Sequence, residues 1–81
     1  MELEQGKAHT LSHHMVGITN VYEAGGTKLV SLMVLEPTTR KETPHRLQVG
    51  DTLTVETDKF KITAITLAAK DKKGSITIQK A

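Results

Sequence analysis

The chain has 81 residues, no cysteine, no tryptophan, one tyrosine and one phenylalanine, with a formal net charge of +2. That length makes one domain, near the size that buries only about 60 to 65% of its unfolded surface. The missing cysteines exclude disulfide frameworks, thiolate zinc sites and cysteine nucleophiles together, and the small net charge does not by itself call for an anionic partner.

The opening stretch, MELEQGKAHTLSHHM, is acidic and polar where a signal peptide is basic and then apolar, so export is not expected. With no cysteine staple in so small a chain, a reducing, cytoplasmic location is expected. The longest apolar run, Leu32 to Leu35, is far from the roughly 20 residues of a spanning helix, so no membrane partner is expected.

No segment keeps three- and four-residue apolar spacing for long, while Thr, Val and Ile are abundant, which predicts an all-β fold. Three strands are expected first, at Lys7 to Ser12, Met15 to Tyr22 and Lys28 to Leu35. His13-His14 forms a hairpin link between the first two, and Glu23 to Thr27, rich in glycine, is an exposed tip. A polar linker follows, Thr38 to His45, bounded by Pro37 and Pro44 and read as an ordered crossover. Three more strands are expected at Thr52 to Glu56, Lys59 to Leu67 and Ser75 to Lys80.

The two sets of strands are related. Sliding the sequence by 44 positions lays Glu2 to Pro37 over Arg46 to Ala81: Leu3 meets Leu47, Gly6 meets Gly50, Ile18-Thr19 meets Ile62-Thr63, and Ser31 meets Ser75. Such self-similarity predicts one supersecondary unit used twice. The expectation is a six-stranded β-barrel or barrel-like sandwich with a pseudo-two-fold axis, made of two three-stranded repeats, about 2–37 and 46–81, joined by the linker 38–45. In each long central strand the two-residue alternation breaks after Ile18 and after Ile62, predicting a β-bulge near Thr19-Asn20 and Thr63-Ala64.

Chemistry-bearing residues are few. Paired carboxylates are absent, the serines lie outside any nucleophile elbow, and no GxGxxG, P-loop or HExxH is present, so neither catalysis nor a cofactor is expected. His9, His13 and His14 cluster around one predicted turn as possible metal ligands, with His9 and His13 facing each other and His14 on the opposite face. His9 overlays Leu53, which makes it a core histidine or the floor of a pocket. Arg40, Lys41, Arg46, Lys59, Lys61, Lys70, Lys72 and Lys73 offer phosphate contacts for nucleic-acid binding, with only Tyr22 and Phe60 to stack on bases; an ordinary polar exterior gives the same pattern.

The most distinctive stretch is Lys28 to Leu35, KLVSLMVL. Aliphatic residues occupy both of its faces, Val30, Leu32 and Val34 on one, Leu29, Met33 and Leu35 on the other. One interior serves one face, so Leu29, Met33 and Leu35 are expected to contact a protein partner or a second copy, a dimer being the first expectation. The functional expectation is a non-catalytic interaction module, with nucleic-acid binding and histidine-based metal binding as alternatives.

Overall fold

The computed structural model describes residues 1–81. Eight strands form in order: β1 Glu2–Glu4, β2 Ala8–Leu11, β3 His14–Ala24, β4 Thr27–Leu35, β5 Glu42–Gln48, β6 Thr52–Val55, β7 Asp58–Thr66 and β8 Ser75–Lys80. They make two four-stranded antiparallel sheets, ordered β2-β3-β4-β5 and β1-β8-β7-β6, here the first and second sheets. The fold is all-β; the ladders end at edge strands and do not close into one continuous barrel. No helix is present, and so none is long and apolar enough to cross a membrane.

Six strands were expected and eight form. The two additions are β1 and β5, and they occupy corresponding places. Each half of the chain contributes a three-stranded meander, β2-β3-β4 or β6-β7-β8, and each meander receives its fourth strand from the head of the other half. Leu3 of β1 pairs with Ile76 of β8, and Leu47 of β5 pairs with Val30 of β4. The stretch expected to be a linker therefore splits. Glu36 to Lys41 closes a turn through Arg40 N–H to Glu36 C=O at 2.8 Å and Glu36 N–H to Lys41 C=O at 2.9 Å, and Glu42 onward is strand. β5 lies at a sheet edge, the position in a sheet that accommodates a proline such as Pro44.

The pairing registers of the two halves correspond residue by residue. Both central strands slip register at the expected place, between Ile18 and Asn20 and between Ile62 and Ala64. At each bulge the extra threonine donates across the ladder, Thr19 Oγ1–H to Ser31 C=O at 3.0 Å and Thr63 Oγ1–H to Thr77 C=O at 3.2 Å. Those acceptors expose one correction. Val21 pairs with Val30 and Ile65 with Ile76, so beyond the third turn the equivalence is 46 positions, not 44. The longer β7–β8 loop absorbs two residues. Because two is one full period of a strand, the inward faces still coincide.

The bulges re-phase each central strand so that Val16, Ile18 and Val21, and likewise Phe60, Ile62 and Ile65, all point inward. With Leu3, Leu11, Val30, Leu32, Val34, Leu53, Val55, Ile76 and Ile78 they form one core of 15 buried residues between the sheets. Gly74 closes this core at the loop end. A Cβ built there would lie 2.7 Å from Val21 Cβ, while the Gly74 carbonyl accepts the Gln5 N–H at 2.8 Å. Both neighbours are fixed, so Gly74→Ala should destabilise the chain by about 1–3 kcal/mol through overpacking. Urea unfolding followed by circular dichroism measures it, and an unchanged midpoint contradicts the contact.

A candidate interaction surface

In an antiparallel ladder, directly paired residues share a face. The outer face of the first sheet therefore consists of four rows read across its strands. Thr10, Met15, Leu35 and Glu42 make the first; Ala8, Gly17, Met33 and Pro44 the second. Asn20, Ser31 and Arg46 follow, then Tyr22, Leu29 and Gln48. Charge occurs only on β5, at Glu42 and Arg46. Leu29, Met33 and Leu35 all lie on this face, as expected from the alternation, but they are half-buried by their neighbours in the sheet rather than fully exposed. The large apolar side chain exposed on this face is Met15, at 46%.

The second sheet supplies an internal control. Its outer face at the equivalent positions carries Thr54 and Lys59 in the first row, Thr52, Lys61 and Gln79 in the second, Glu2, Ala64 and Thr77 in the third, and Glu4, Thr66 and Ser75 in the fourth. Met15 thus corresponds to Lys59, Gly17 to Lys61, and Met33 to Gln79. One frame carries a polar exterior on one side and an apolar one on the other, so the apolar exterior is not required by the fold.

Reasoning from sequence missed Met15, Gly17 and Tyr22 as members of this surface. The overlay holds the signal, since Met15 and Gly17 stand where the second half has lysines. An open hollow beside the β3 bulge is lined by Thr19, Ser31, Met33, Pro44 and Arg46 together with Leu32 and His45 of the inward row.

The histidines separate. His9 pairs with Val16 and His14 with Leu11, so both lie on the inner face, and the expectation that His14 points away from His9 is corrected. Two residues opposite each other in the ladder at both ends of a two-residue turn must share a face. Ser12 and His13 form that turn with φ of 49° and 67°, leaving His13 exposed. No three histidine or carboxylate side chains converge as a metal-holding group.

His9 has a partner within the backbone: its Nε2 accepts the Glu4 N–H at 3.1 Å. The corresponding N–H in the second half, that of Gln48, is bound at 3.0 Å by the Asp51 carboxylate. Position 7 holds lysine where position 51 holds aspartate. Lysine has no acceptor, so the histidine performs the aspartate's task.

His14 and Ser12 belong to a second correspondence. The Ser12 hydroxyl donates to the Asp58 carboxylate, and His14 Nδ1, which donates to the Ser12 carbonyl at 2.9 Å, lies 3.8 Å from Glu56 Oε1. Ser12 and Glu56 are equivalent positions, as are His14 and Asp58, so the two hairpin tips meet through paired contacts. Lys80 Nζ, 3.3 Å away, adds to the Ser12 hydroxyl in holding the Asp58 carboxyl below its ordinary value of 3.8.

The basic residues disperse. Lys59 and Lys61 project from the second sheet, Arg46 from the edge of the first, Arg40 and Lys41 from the β4–β5 turn or its end, and Lys70, Lys72 and Lys73 from the β7–β8 loop. Phe60 is buried and Tyr22 half-buried. Comparison with family models, with curated proteins and with solved structures gave no match.

Two outcomes follow from these contacts. His9→Leu should cost about 1–3 kcal/mol by orphaning the Glu4 N–H, and adding Lys7→Asp should restore most of it by rebuilding the second half's corner. A double variant no more stable than His9→Leu alone, in urea unfolding, refutes the shared role. For Asp58, a folded-state pKa lowered below 3.8 gives stability that is full above that pH and is lost as pH falls through the lowered value. Asp58→Asn should therefore unfold at lower urea than the parent at neutral pH, with the gap closing in acid below 3.8; a gap independent of pH contradicts the account.

Proposed function

We propose that this chain is a non-catalytic interaction module that docks a protein partner on the outer face of its first sheet. The observation that carries this is the substitution of Met15, Gly17 and Met33 where the second sheet, on the same frame, has Lys59, Lys61 and Gln79. An apolar patch free of charge at its centre and polar at its rim is the composition of a protein contact. Met15 and Met33 add side chains that adapt to an irregular partner.

The frame is read as barrel-like with a pseudo-two-fold axis. Continuity supports it: β1 runs into β2 through Gly6 and β5 into β6 through Gly50, both with positive φ. Counted as two bent strands, these segments pair with β8 and β3 and with β4 and β7 respectively, giving a ring of six. The absence of cysteine suits a reducing, cytoplasmic setting.

The test replaces the face by its own counterpart. Met15→Lys with Met33→Gln should keep the circular dichroism spectrum and change stability by less than about 1 kcal/mol, as surface substitutions do. Retention of partner protein on the immobilised chain, quantified by mass spectrometry, should fall at least about tenfold. If the variant unfolds, the face is core; if retention is unchanged, docking lies elsewhere. Either result removes the proposal.

A further inference from the structure

The docking face has a shape that matches itself. Gly17 is central to it, between Ala8 and Met33 in the second row. An interior strand glycine is destabilising relative to alanine, because it loses more backbone freedom and has no side chain to pack. Nothing inside the chain requires one here: Gly17 is not among the positive-φ glycines, and a Cβ at that position would meet no atom within 4 Å. The second half carries the same bulge with Lys61 at this position, so the bulge does not call for glycine, and close approach of another backbone is a further use of a strand glycine. Beside it stands Met33, half-buried and directed outward.

We infer that the occupant of this face is a second copy of the chain, packed sheet on sheet about a two-fold axis that runs parallel to the strands, midway between β3 and β4. This rests on the docking reading and specifies its partner. Rotation about that axis keeps each row in register and lays β3 of one copy over β4 of the other. Every ladder pair then becomes an intermolecular pair as well. Met33 enters the space over Gly17 of the second copy, and the reverse contact repeats it, as an isologous interface requires. Met15 meets Leu35, Tyr22 meets Leu29, Asn20 meets Ser31, and Ala8 meets Pro44.

The alternative axis, across the strands through the second row, sets Met33 against Met33 and Gly17 against Gly17. That makes a bump and a void, so the parallel axis is preferred. Charges agree with it. The positions on β2, β3 and β4 that meet at the centre carry none, while Glu42 comes over Thr10 and Arg46 lies past the end of the facing β2, at the wet rim.

Area sets the strength of the contact. With strands spaced about 4.8 Å apart and about 3.4 Å per residue, β3 and β4 overlap over about seven residues and β2 with the facing β5 over the four residues of β2, giving about 360 Å² of flat face. Two such faces bury about 720 Å² before side-chain relief, the size of a weak, reversible contact.

Sedimentation equilibrium of the purified full chain over a concentration series is the test, with a mass rising towards twice 8.9 kDa expected across the series. Gly17→Leu fills the dent and should raise the dimer dissociation constant at least about tenfold, with the circular dichroism spectrum unchanged because its Cβ meets open space. Adding Met33→Ala to Gly17→Leu moves the protrusion to the other strand and should bring the constant back to within about threefold of the parent. A dimer indifferent to Gly17→Leu overturns this packing, as does a double variant that stays monomeric. A parent chain that remains monomeric at about 100 µM overturns the second copy as occupant. In that case, partner retention that is lost in Met15→Lys with Met33→Gln leaves the docking reading standing, and retention that is unchanged removes both.

Discussion

The fold depends on an exchange of strands. A three-stranded meander by itself leaves its apolar face open to water, and its last strand presents a row of unpaired backbone groups. Here each half covers that edge of the other: Leu3, fully buried, sits on Ile76, and Leu47 packs against the core from its pairing with Val30. The core lies between the sheets because the inward faces of both are apolar, and the strand that completes each sheet comes from the opposite half. Neither half has a finished sheet by itself, and the polar contacts between the hairpin tips, Ser12 with Asp58 and His14 with Glu56, tie the same two halves at one end.

This division explains which parts of the fold were legible in the sequence. The central strands announced themselves, because a bulge leaves a phase break in the alternation, and the same break stood at Ile18 and Ile62. Inner and outer faces of Lys28 to Leu35 were separable by parity, although both are apolar. The added strands were not legible for a physical reason. β1 has three residues with one buried, too short for any period to register, and the first half of β5 is exposed and contains a proline. An edge strand is defined by its partner, and that partner is remote in the sequence. The 46-residue offset of the last strands was hidden likewise, since a shift by one strand period changes no face.

The surface was half legible for a related reason. Leu29, Met33 and Leu35 stood out as surplus apolar residues on a strand already supplied with a core face. Met15 and Gly17 did not, because isolated apolar or small residues on an outer face are ordinary; only the cross-strand rows gather them into a patch. His9 shows the opposite case. It looked like chemistry, but its unusual position next to Lys7 is accounted for by a backbone N–H that the aspartate in the other half binds instead. Between two halves whose pairing registers correspond, departures that compensate each other at one corner belong to the fold, and departures with no compensating partner are left without that account.

The two exchanged strands also differ in reach. β5 turns back onto β4 through the short turn at Glu36 to Lys41, so the first sheet, residues 8–48, is assembled entirely from neighbours in the chain. β1 must find β8: Leu3 pairs with a residue 73 positions downstream, as 76 minus 3. Closing so long a loop carries more entropy than closing a local one. The order of assembly is thereby written into the topology. The first sheet and its outer face can be complete while the β1–β8 ladder is still open, and cooperative closure of the whole domain waits on the last strand.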